Sequence, residues 1–209
     1  MIEYIREIDS AKWSGEQKNN IKQYKNVPGV WILLGKEKGN NRLICLQVAR
    51  SVNIGGEIDR DISYLSAERL EPKKKVYVNQ FGEKMFPYEE QPNRAQILYK
   101  TIAEKYENLI FVCVAHGEKL NDDNLRKSIE KYVAYKTLCP YWVNGGQYKE
   151  KDDEEIKSIK EACKEECKTL FEEIERNYQE GANSLNEFLN NLNRGNLDYL
   201  IPGKMDIPI

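Results

Sequence analysis

The chain has 209 residues, 40% of them hydrophobic, so it can bury a sizeable core, and its length suits one domain with additions or two small ones. Its 32 basic and 34 acidic residues leave a net charge of −2, which excludes a global positive field that would draw in a polyanion. No apolar run approaches the roughly 20 residues that span a bilayer, and MIEYIREIDSAKW lacks the basic and apolar regions of a secretory signal, so a soluble, cytoplasmic chain with no membrane partner is expected.

In chain order, Met1 to Trp13 mixes Ile2, Ile5 and Ile8 with charge and suits a short helix or an extended lead-in equally. Ser14-Gly15-Glu16-Gln17 has the S-x-x-Q form of a capping box, which predicts a helix from about Gly15 to Tyr24, halted by Asn26 and Pro28. Val30 to Leu34 and Leu43 to Val48 are rich in Val, Ile and Leu, and the turn formers and charges of Lys36 to Asn41 lie between them: a β-hairpin. Asn53 stands as an N-cap, and Ile54, Ile58, Ile62 and Leu65 have helical spacing, with Glu57, Arg60 and Asp61 read on the exposed side of that helix. Glu71-Pro72 ends it, Val76 to Val78 reads as a short strand and Phe81 to Gln91 as a loop.

A helix is expected from Asn93 to Tyr106, opened by Pro92. NLIFVCVA, Asn108 to Ala115, is apolar without alternation and reads as an inner strand covered on both faces. Asn121-Asp122-Asp123 caps a helix running to about Leu138, and Cys139-Pro140 closes it. Asp152 to about Tyr178 is a long charged helix whose narrow apolar stripe includes Ile156, Ile159, Leu170, Ile174 and Tyr178, and Ser184 to Leu192 a second. That stripe suits packing on the first domain, or a seam for a homo-dimer or protein partner through residues 152–192.

The five cysteines are odd in number and have no metal-type pair spacing, which suits a reducing compartment. Cys163 and Cys167 are four apart on a helix, but a zinc site needs further Cys or His, and the chain has one histidine, His116, just after the inner strand. Lys73-Lys74-Lys75 is a basic run too short to count alone. Walker, dinucleotide-binding, G-x-S-x-G, HExxH and EF-hand signatures are absent.

PGVW followed by LQVARSVNI resembles the two halves of the GIY-YIG nuclease signature. Gly29-Val30-Trp31 takes the first triplet and Gln47-Val48-Ala49 the second, with Ser51, Asn53 and Ile54 in register. IEKYVAYKTLCPYWVN is similar to the family's ending, a glutamate-bearing helix followed by Pro and then Asn, which matches Glu130 to the metal-binding glutamate and Asn144 to the asparagine that ties the fold together. The resemblance implies a divergent, metal-dependent DNA phosphodiesterase or a degenerate DNA-binding copy of one, with Mg²⁺ at Glu130. Where the family uses two tyrosines and a helix arginine, this chain has Trp31, Gln47 and Glu57. Neither an indole N–H nor a carboxamide can serve as a general base, and a carboxylate repels phosphoryl oxygens. Arg60, three residues on from Glu57, and Arg50, at the strand-to-helix corner, are the remaining sources of a guanidinium for phosphate charge.

These readings give an α/β fold: a small mixed three-stranded sheet flanked by helices over residues 1–150, an inserted segment at about 72–107, and a C-terminal helical extension over 151–209. Trp31, Gln47, Arg50, Arg60 and Glu130 are the candidate site, with Trp31, Gln47 and Glu130 expected as neighbours across one groove. The alternative is a non-enzymatic scaffold that associates through its C-terminal helix.

Overall fold

A computed structural model of the chain describes residues 3–8, 21–40, 42–65, 72–73, 91–92, 94–141 and 153–195. The bulk of the helix read from Gly15, the strand at 76–78, most of the loop at 81–91, Asn144 and the side chain of Cys163 lie outside the described residues.

The sheet is built on β2 (Gly29–Glu37), whose residues up to Gly35 are all buried, because it runs through the middle of the molecule with apolar layers on either side. Its hairpin partner β3 (Leu43–Ser51) lies at one edge, and β6 (Tyr106–His116) pairs on its other side. The expected α/β fold with its three-stranded sheet is therefore observed, but the sheet is antiparallel where a mixed one was expected, because β3 and β6 both run opposite to β2. Every one of these pairings is antiparallel, and β1 (Glu3–Ile8) adds a fourth strand outside β6, which decides the Met1 to Trp13 ambiguity for that segment. Gly29 is required by the close approach of β6: a Cβ there would sit 2.1 Å from the Ala115 carbonyl oxygen.

Alternate side chains of each inner strand divide the core in two. Val30, Ile32, Leu34, Ile110, Val112 and Val114 point to a first face, and Trp31, Leu33, Phe111 and Cys113 to a second. The second face is covered by α1 (Ile54–Leu65) and α2 (Arg94–Lys105), reached through a two-residue ladder between β4 (Pro72–Lys73) and β5 (Gln91–Pro92). The first is covered by α3 (Asp123–Thr137), α4 (Asp153–Asn177) and α5 (Gln179–Arg194).

The C-terminal helices therefore share the core. Leu170, Ile174, Tyr178, Leu185, Phe188 and Leu189 are buried in one cluster with Val30, Ile32 and Ile129. Of the two uses open to the stripe, packing on the first domain accounts for its described residues. No helix among the described residues is long and apolar enough to cross a membrane.

Candidate functional site

The strand-to-helix corner is fixed by Asn53. Its Oδ1 accepts from the Gly56 N–H at 3.0 Å, the N-cap bond that starts α1, and from the Asn26 N–H at 2.8 Å, which ties the approach to β2 onto the same helix end. Ser51 Oγ accepts from the Asn53 N–H at 3.0 Å, so short polar side chains hold this corner shut on itself.

From the corner, the pleat sends neighbouring residues of β3 to opposite sides. Arg50 pairs in register with Val30 and so takes the first face, where α3 brings Glu130 to it. Arg50 Nε donates to Glu130 Oε2 at 3.0 Å, and its Nη1 reaches Asp123 Oδ1 at 2.5 Å. Asp123 Oδ1 also accepts from Arg126 Nη2 at 2.8 Å, and Arg126 Nη1 donates to the Leu120 carbonyl. Glu130 is not the surface carboxylate that its lysine-rich surroundings suggest: only 7% of its side chain is exposed, and its charge is balanced by a guanidinium.

A slip in register decides the place of Gln47. Leu33 pairs with Gln47 but Leu34 with Cys45, so Leu46 is an extra residue, and both Leu46 and Gln47 turn to the second face. Trp31 is there too, wholly buried against Phe111 at a ring separation of 5.3 Å, and its Nε1 donates to Glu57 Oε2 at 3.3 Å. Trp31 and Gln47 thus lie across the sheet from Glu130. The single groove expected to join them does not form, because strand alternation puts Trp31 and Arg50 on opposite faces although their cross-strand partners, Ala49 and Val30, are adjacent to them in sequence.

The second face gathers a group that the sequence reading did not assemble. Asp61, read as exposed, is buried under α2. The signal was present, since position 61 follows Ile54 by seven and Ile58 by three and so falls on the apolar stripe of α1. The Tyr99 hydroxyl faces both Asp61 and the Gln47 amide, yet neither that hydroxyl nor Gln47 Oε1 closes a hydrogen bond of good geometry among the described residues. Burial pushes the Asp61 carboxyl up to about 7; the Tyr99 hydroxyl and Arg60 pull it down, and the neighbouring Glu57 charge adds to the rise. Burial likewise holds the Tyr99 phenol well above its ordinary range. Arg60 sits at the rim, 3.4 Å from Glu57 Oε1 and 3.7 Å from Asp61 Oδ1, so its guanidinium is engaged with carboxylates.

The expected residues therefore fall into two separate sites: Arg50 with Glu130 on the first face, and Trp31, Gln47 and Arg60 with Glu57, Asp61 and Tyr99 on the second. The first does not suit Mg²⁺ at Glu130. That ion needs free carboxylate lone pairs and room for several waters, whereas Glu130 is nearly enclosed and bonded to Arg50. Among the described residues, no three His, Cys, Asp or Glu side chains gather as a metal-ligating group. His116 ends the inner strand with its ring edge-on to Tyr24 at 6.1 Å. No protein-family model, curated protein or solved structure matches the chain.

Proposed function

We propose that the chain is a GIY-YIG-like domain that binds DNA without cutting it, a degenerate copy in the sense that its hydrophobic frame is kept and its reactive positions are spent on internal contacts. One observation carries the reading: the glutamate matched to the family's metal ligand holds Arg50 at 3.0 Å, on the opposite face from the positions matched to the tyrosines and arginine. Of those positions, Trp31 and Glu57 are bonded to each other, and Gln47 faces Tyr99. Trp31 and Gln47 cannot supply a base for water, and none of the three supplies a positive charge for a phosphoryl oxygen. DNA is the ligand class implied by the resemblance, and with a net charge of −2 any contact to it rests on local groups and weakens steeply with salt.

The test has two arms. Supercoiled plasmid incubated with the chain and Mg²⁺ or Mn²⁺ stays intact, and labelled duplex is retarded at low salt and released as salt is raised. Incision that disappears with Glu130→Ala restores the phosphodiesterase reading. Failure to retard DNA at low salt removes DNA as the ligand.

A further inference from the structure

We propose that Cys45 and Cys139 are a site of reversible oxidation, two thiols that close into a disulfide and clamp the edge strand β3 to the C-terminal end of α3. The inference is independent of the nuclease resemblance, which gives neither residue a role. Both cysteines are free and buried in the core cluster of the first face, although they come from distant parts of the chain. Cys139 Sγ donates to the Leu46 carbonyl at 3.1 Å and Cys45 Sγ to the Gln47 carbonyl at 3.5 Å, so both sulfurs lie against neighbouring carbonyls of the bulge. The Cys139 thiol is also hydrogen-bonded to that of Cys45. A disulfide needs sulfurs in contact on backbones that are already close, and here the Tyr141 N–H fastens the turn to the Leu46 carbonyl at 3.0 Å.

The turn that delivers Cys139 is held in an unfavourable shape. Leu138 ends α3 at φ 51° and ψ 41°, a left-handed position ordinarily taken by Gly or Asn. Such a conformation persists where the surrounding contacts dictate it, and the next residue supplies them: Cys139 is wholly buried, with the Val48 and Tyr141 N–H groups facing its sulfur. Leu138 is exposed and Pro140 half-buried, so the thiol lies one residue below the surface on either side.

Burial, then the contact with Cys45, holds the Cys139 thiol well above its usual range, so oxidation follows a local opening of the turn rather than attack on the closed protein. The oxidant is a peroxide. One sulfur attacks a peroxide oxygen, the O–O bond breaks, and a sulfenic acid and water form; the second sulfur then displaces the sulfenic hydroxyl, which leaves as water with the remaining thiol proton. Two thiols are oxidised and one hydrogen peroxide is reduced to two waters. A small dithiol reverses the step by exchange.

The experiment treats the full chain with hydrogen peroxide, blocks the remaining thiols in denaturant, and maps proteolytic peptides by mass spectrometry beside a thermal scan. The expected product links the Cys45 and Cys139 peptides, lighter together by two hydrogens. Because the bond closes a loop of residues 45–139, the thermal midpoint rises by about 10 °C, and dithiothreitol reverses both changes. Cys139→Ser, whose hydroxyl can still donate to the Leu46 carbonyl, loses the link and the rise; if it fails to fold, the wild-type chain before and after dithiothreitol decides alone. Recovery of Cys45 and Cys139 as blocked thiols while the half-buried Cys167 is oxidised overturns the proposal. Pairing of Cys45 with any other cysteine overturns it too, as does a Cys45 to Cys139 link that leaves the midpoint unmoved.

Discussion

Asp61 and Tyr99 meet beneath helix α1, a carboxyl and a phenol shut away together between that helix, α2 and the bulged edge of β3. The consequence is a stability that depends on pH. Burial raises the Asp61 carboxyl to about 7 in the folded protein from 3.8. Between those values the folded chain keeps a proton that the unfolded chain has released, so this group's contribution to stability falls as pH rises from about 4 to about 7 and is level above that. Over that span the penalty is on the order of 4 kcal/mol. Urea unfolding of Asp61→Asn should lose this slope and exceed the wild type most at pH 8. An unchanged difference between pH 5 and pH 8 would mean that the carboxyl titrates normally.

Asn53 is expected to be the most sensitive polar position at the corner. One oxygen caps α1 and also holds the Asn26 backbone, so Asn53→Ala should cost about 2 kcal/mol, the upper part of the range for caps. Asn53→Asp keeps the acceptor and should cost much less. Thermal unfolding of the two variants makes the comparison, and equal losses would show that the side-chain oxygen is not what matters.

Leu185 tests the place of the C-terminal helices. It is fully buried in the cluster shared by α3, α4, α5 and the sheet, so Leu185→Ala should lower stability by about 3 kcal/mol in a single cooperative transition. A separate low-stability transition, with the main one unmoved, would mean that the helices form a unit of their own.

The elements were legible in the sequence because period and caps agree. Ile54, Ile58 and Ile62 mark a helical stripe, Asn53 its start, and the unbroken NLIFVCVA run a strand covered on both faces. The site was less legible. Which face a strand residue takes depends on register, and the extra residue at Leu46 is set by pairing with β2, which no local pattern announces. Glu130 carries no local sign of burial, since what neutralises it is Arg50, eighty residues earlier. Asp61 was there to be found by counting from Ile54, and was obscured by its charged neighbours Arg60 and Glu57.

The separation of the two faces is the premise of the functional reading, and double-mutant cycles on stability test it most directly. Arg50→Met and Glu130→Gln should couple by about 1 kcal/mol or more, since each leaves the other's buried or half-buried charge without its partner. Glu57→Gln and Glu130→Gln, across the sheet from each other, should add to within about 0.5 kcal/mol. Strong coupling between Glu57 and Glu130, with none between Arg50 and Glu130, would put both carboxylates in one groove and contradict the account.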